Sequence, residues 1–213
     1  MVKYVKVLLK QKQVPVIENK NNMNNNNTNN NKKKKILFIG DDCRFYSGVS
    51  VALKEMVKQT VHKYDYTLLG GANGHPELGK ICDMSQHFNE EANIKDAYCK
   101  LYPVNGYGDA NILFQMIEIE KPDAIAAITD PRQYMWLFAI EAQIHAMGIP
   151  LVYWHIWDSQ MMPQWNRPSY DSVDALLAIS QQSNNVAKHV CDPLNCISLE
   201  GEFDQDGNLI TTK

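Results

Sequence analysis

With 213 residues, 45% of them hydrophobic, the chain has apolar material for one substantial core and is short for two full domains. No apolar run reaches the roughly 20 residues that cross a bilayer, and the opening MVKYVKVLLKQKQ alternates lysine with apolar residues without a signal-peptide cleavage site, so a cytoplasmic protein is expected. The net charge of -3 hides a division: residues 1–35 carry nine lysines against Glu18 alone, leaving 12 basic and 23 acidic residues elsewhere, a field that opposes a phosphate backbone.

Nucleic acid is therefore expected to touch the protein only through the basic N-terminal arm, and such arms are commonly just solvated. The cysteines Cys43, Cys82, Cys99, Cys191 and Cys196 are odd in number and lack CxxC spacing, which argues against a disulfide framework or a zinc site. Buried thiols are the expectation.

Residues 2–9 alternate like a short strand able to pair with a sheet edge. Asn19 to Asn31 is almost pure asparagine and runs into four lysines, too poor in apolar area to offset the entropy of ordering it, so residues 1–34 read as an arm and linker. Ile36 to Ile39 is then an unbroken apolar run, suited to a strand buried on both faces of a parallel sheet, and Gly40 ends it. A polar loop from Asp41 to Ser47 leads through Gly48 into Val49, Val51, Ala52, Leu53, Met56, Val57 and Val61, whose spacing predicts the inward face of a helix. In an open α/β sheet this loop and the first free helix N–H groups lie at the carboxyl end of the strand, where ligands bind. The spacing from Gly40 to Gly48 fits neither the dinucleotide fingerprint nor a P-loop, which argues against an NAD-dependent enzyme.

Tyr64 to Leu69 predicts a second strand, followed by the loop Gly70-Gly71-Ala72-Asn73-Gly74-His75-Pro76. Its glycines, with Asn73 and His75, suit either a binding loop over the sheet's carboxyl edge or a flexible connector. Ile81 to Met84 and Ala97 to Leu101 predict short strands. Asp109 is placed to cap a helix that ends at Lys121-Pro122. Asp123 to Thr129 is the next buried strand, with Asp130 capping a helix whose core stripe is Trp136, Leu137, Ile140, Ile144 and Met147. Leu151 to Ile156 and Asp174 to Ile179 complete the set, and Ser180 caps a helix to about Val190. The alternation predicts an α/β fold with a doubly wound, mostly parallel, Rossmann-like sheet over residues 35–192. Residues 193–213 predict a C-terminal β-hairpin; Asp204, Asp206 and Asn208 resemble the start of a calcium loop, but the Glu at its twelfth position is absent, so no metal is assigned.

His155 and Asp158 follow a buried strand at its carboxyl end, the edge that Gly40 and Gly48 also face. An imidazole there either donates to a sugar hydroxyl or reacting oxygen, with the carboxylate orienting it, or packs beside Trp154 and Trp157. Arg44 and Arg132 begin helices after sheet strands, where each either neutralises a phosphate or is solvated. No local Ser/His/Asp set declares a hydrolase.

The segments ILFIGDDCRFYSGVS, KPDAIAAITDP, IPLVYWHIWDS and DALLAISQQSNNVAKHV, in that order, resemble the N-terminal half of GT-B glycosyltransferases of the glycogen-synthase-like retaining family 4, and phage-encoded members most. The likeness covers about residues 34 to 192. It implies that Gly48, with Ser47 in place of the first glycine of the usual pair and Arg44 nearby, approaches the donor's phosphate and sugar. It also implies that His155, aided by Asp158, contacts the transferred sugar, and that the loop carrying Gly71, Asn73 and His75 helps hold the acceptor. The nucleotide and the family's paired glutamates belong to a second Rossmann-like half, so the expected function is the acceptor-side part of a metal-free sugar transferase using a nucleotide-sugar. It would act as a truncated piece, with a partner chain, or no longer catalyse. The alternative is a non-catalytic Rossmann-like module that binds a nucleotide or a protein. No cofactor is expected beyond the donor substrate, and the acceptor is unknown.

Overall fold

A computed structural model describes residues 6–10, 32–157, 159, 162–191, 196–199, 201–203 and 209–212. In chain order the elements are β1 (Lys6–Lys10), β2 (Lys34–Asp41), α1 (Gly48–Thr60), β3 (Tyr64–Ala72), β4 (Cys82–Asp83), α2 (Ser85–Ala92), β5 (Cys99–Asn105), α3 (Ala110–Glu120) and β6 (Ala124–Thr129). They continue with α4 (Met135–Ala139), α5 (Glu141–Ala146), β7 (Leu151–His155), α6 (Arg167–Asp171), β8 (Ala175–Ala178), α7 (Gln181–Val190), β9 (Cys196–Leu199), β10 (Gly201–Phe203) and β11 (Leu209–Thr212).

The fold is α/β and Rossmann-like: β5-β3-β2-β6-β7-β8 lie side by side in parallel, with helices on both faces. Because successive side chains on a strand point to opposite faces, the central strands divide their apolar residues between two cores. Leu37, Ile39, Ile125, Ala127, Leu151 and Tyr153 pack with the residues of α3, α4, α5 and α7. Phe38, Leu68, Leu101, Ala126, Ile128 and Trp154 pack with Leu53 and Val57 of α1 and Phe88 of α2. On that second face Val152, Ile156, Leu177 and Ile179 are only half-buried.

The N-terminal alternation does pair with an edge: β1 runs antiparallel to β8 and carries β9 beyond it. The C-terminal hairpin is present as β10 against β11, with Asp204, Asp206 and Asn208 outside the described residues, as is the asparagine tract. The strand expected at Ile81–Met84 shrinks to β4, antiparallel to β5. The single helix expected after β6 is a 3-10 turn, Pro131–Tyr134, followed by α4 and α5, because Ile140 leaves helical backbone at φ -105°. Phe138 takes the inward place, and Met147, past the last residue of α5, is exposed. Cys43, Cys99 and Cys191 are buried, and Cys82 is half-buried. Among the described residues no helix is long and apolar enough to cross a membrane.

The chain steps from β2 outward through β3 to β5, then returns to the other side of β2 to place β6. Sheets of this order bind ligands at the carboxyl ends of the strands flanking that reversal, here β2 and β6. The ladder between them ends at Ile39 opposite Ala127. Beyond it the hydroxyl of the fully buried Tyr134 lies 3.0 Å from the Ile39 carbonyl and 2.9 Å from that of Ile128, so its proton serves the backbone acceptors that the parting strands leave.

Candidate functional site

The loop after β2 is fixed by its own polar side chains. Ser47 caps α1 in extended backbone (φ -135°, ψ 159°), accepting from the Ser50 N–H at 2.9 Å. Its hydroxyl donates to Asp41 Oδ2 at 2.5 Å, and Ser50 Oγ donates to the Asp42 carbonyl at 2.9 Å. Gly48 is exposed, and a β-carbon built on it would meet nothing within 4 Å. The fold itself does not require a glycine there.

Arg44 does not face outward to a phosphate. Its guanidinium is held by Asp42 Oδ2 at 2.6 Å and Glu77 Oε2 at 2.7 Å, with charges opposite and geometry forked. Asp42 is fully buried; burial alone would push its carboxyl up, but the hydrogen bonds from Arg44 and His75 prevail and hold it below the usual carboxylate range. His75 completes this cluster. The Glu77 N–H donates to His75 Nδ1 at 3.0 Å, so the ring proton sits on Nε2 and points to Asp42 Oδ2, 2.9 Å away, while Phe45 stacks on the ring.

The segment expected to be a loop from Gly70 is strand as far as Ala72, which places Gly71 inside the sheet. A β-carbon on Gly71 would lie 2.0 Å from the Gly106 carbonyl oxygen, so glycine is required where the turn after β5 crosses β3. Of the trio Gly71, Asn73 and His75, Asn73 alone is exposed.

His155 ends β7 on the same rim as the start of α1 but is sealed, with 0% of its surface exposed. Nε2 lies 2.9 Å from the Ser183 carbonyl, which can only accept, so Nε2 carries the proton and Nδ1 accepts from the Tyr170 hydroxyl at 3.0 Å. Burial lowers its pKa below the ordinary imidazole value, outweighing the bond to Ser183. The imidazole is thus a neutral packed group that joins β7 to α6 and α7. Asp158 lies outside the described residues. Asp130 does cap the 3-10 turn, accepting from the Arg132 N–H at 2.9 Å, and pairs with the Arg132 guanidinium at 2.5 Å. Ser180 caps α7 as expected.

Of the residues that meet at the reversal point, Ser47 was singled out from the sequence, whereas Asp41, Tyr107 and Thr129 were not. Asp41, the last residue of β2, is half-buried; Oδ1 accepts from the Tyr107 hydroxyl at 2.6 Å and Oδ2 from Ser47. Among the described residues no cation pairs with it. Burial and the bond to Asp41 push the Tyr107 phenol up to about 12, Asp130 adds to this, and a hydrogen bond from the Thr129 side chain works against it. Thr129, at the end of β6, has φ +145°, a conformation that a β-branched residue adopts only under constraint. Tyr153 donates to its carbonyl from below. In the segments that follow the carboxyl ends of β2, β6 and β7, Phe45, Tyr46, Met135, Met162 and Trp165 are exposed, and Arg132 lies over the Trp157 ring at 5.9 Å. Among the described residues no group of three His, Cys, Asp or Glu is placed to hold a metal ion.

The fold is a Rossmann-like α/β domain whose strand order reverses between β2 and β6, the place where sheets of this order bind ligands. No protein-family model, curated protein or solved structure matches the chain.

Proposed function

We propose that this domain is the acceptor-side part of a glycosyltransferase, moving a sugar from a nucleotide-sugar donor to an acceptor and completed by a second Rossmann-like half. The observation that carries this reading is the chemistry of the rim. Arg44 is engaged by Asp42 and Glu77, Arg132 is paired with Asp130, and Asp41 adds a negative charge, so the crevice disfavours a phosphate and suits hydroxyl groups. Exposed Phe45, Tyr46 and Trp165 supply flat apolar faces for sugar rings or for the facing half. In such an enzyme the leaving phosphate is stabilised by the other half, and this domain contributes positioning.

A second reading, a module that holds a nucleotide without chemistry, draws on the exposed start of α1 at Gly48, where first-turn N–H groups favour an anion. One titration separates the two. Amide spectra of the full chain are recorded with methyl glycosides and, separately, with uridine diphosphate. Shifts at residues 41–48 and 106–108 with a glycoside support the transferase reading. A response to the nucleotide alone overturns it in favour of the module.

A further inference from the structure

We propose that Asp41 is the residue that receives the acceptor's hydroxyl group, with Tyr107 and Ser47 as the two hydroxyls that aim its carboxylate. The inference rests on the transferase reading and names the substrate group the site takes: a neutral, hydroxyl-bearing compound such as a sugar. An ionised carboxylate has about four acceptor positions, and the bonds from Tyr107 and Ser47 occupy one on each oxygen. The remaining lone pairs belong to a half-buried group at the strand pair where this sheet order places ligands.

Its surroundings are those of a positioned acceptor. Tyr107 comes from the turn after β5 and Ser47 from the cap of α1, so the carboxylate is held from two separate segments, while Thr129 at the end of β6 acts on the Tyr107 hydroxyl. The other candidates on this rim are closed. His155 has both ring nitrogens engaged inside the core, and His75 has both engaged by Asp42 and the Glu77 backbone. Charge also selects: Asp41 and Asp130 both act on the Tyr107 hydroxyl, a combination that rejects an anion and accepts O–H donors.

The test uses the full chain, with methyl α-glucopyranoside, methyl α-mannopyranoside, methyl β-galactopyranoside and N-acetylglucosamine as probes and inorganic phosphate as the contrasting anion. At least one glycoside is expected to shift the amides of residues 41–48 and 106–108. Asp41→Asn should weaken that binding at least tenfold while strengthening any phosphate binding at the start of α1, and Tyr107→Phe should weaken glycoside binding several-fold. In the unmodified protein, nuclear Overhauser contacts from the glycoside to the Tyr107 ring and the Ser47 β-protons are expected, so the proposal stays testable if Asp41→Asn does not fold. A glycoside that shifts the rim but binds Asp41→Asn within twofold, or shows no contact to Tyr107, overturns the role of Asp41 and leaves the transferase reading standing. No glycoside response at any rim amide overturns both.

Discussion

The Tyr107 hydroxyl lies 2.6 Å from Oδ1 of Asp41, across 66 residues of chain. A turn that follows β5 thereby fixes the carboxylate that ends β2, two strands away. Removing this hydroxyl with Tyr107→Phe should lower stability by about 1–2 kcal/mol, the scale of a hydrogen bond to a charged group at a partly wet site, measured by urea unfolding at neutral pH. The same bond has a pH signature. The phenol is raised to about 12 in the folded chain, against roughly 10 when unfolded. Its stabilising contribution is complete below pH 10 and disappears as pH rises from 10 to about 12. Ultraviolet titration of tyrosinate, compared between the protein and Tyr107→Phe, reads that difference.

His155→Ala should act first on the fold. It removes a buried ring and leaves the Tyr170 hydroxyl and the Ser183 carbonyl without their partner, a combined loss of about 3–4 kcal/mol. The pH dependence has the opposite sense to that of Tyr107. Burial lowers the folded pKa, so the unfolded chain takes up a proton that the folded chain resists, and stability falls as pH drops below the ordinary imidazole value. Thermal melts between pH 7 and pH 5 should show a smaller acid loss in His155→Phe than in the parent. An equal loss in both would assign the acid sensitivity to other groups.

Arg44→Met should be more damaging than an exposed arginine substitution, because it leaves the fully buried Asp42 with His75 as its remaining side-chain partner. A loss of about 3 kcal/mol or more is expected for an orphaned buried charge. Asp42→Asn in the same background should recover part of it. Denaturant unfolding of the single and double variants measures the coupling.

Two glycines give opposite expectations. Gly71→Ala places a methyl group 2.0 Å from the Gly106 carbonyl and should destabilise by about 2 kcal/mol or more as the backbones separate. Gly48→Ala meets open space at the first position of α1 and should raise stability by about 0.4–1 kcal/mol through the unfolded chain. Calorimetry on both decides whether space or helix propensity governs at each site.

The sheet was readable in the sequence because β2, β6, β7 and β8 carry apolar runs of strand length, bounded by a glycine, proline or capping residue. α2 was not, since Ser85–Ala92 is polar and buries one large side chain, Phe88, so it carries no stripe. The site was less readable for a different reason. His155 at the end of β7 and Gly48 at the start of α1 lie on one rim, as the alternation of elements implies, but only packing decides whether a strand-end imidazole points outward or into the layer beneath α7. Asp41 looked like one polar loop residue among several. Its partner Tyr107, and Thr129 acting on that phenol, come from a turn and a strand end that sequence order keeps far apart, and it is the strand order that brings them together.

Tyr134 and Tyr153, both wholly enclosed, bond the backbone under the rim, the first at Ile39 and Ile128, the second at Thr129. This edge is therefore braced before anything arrives, and little ordering is left to do on association; under the two-part reading proposed above, closure around a guest comes as a swing of the other half. Exchange-protected amides at Gly40 and Asp130, unchanged by occupancy, would be its fingerprint.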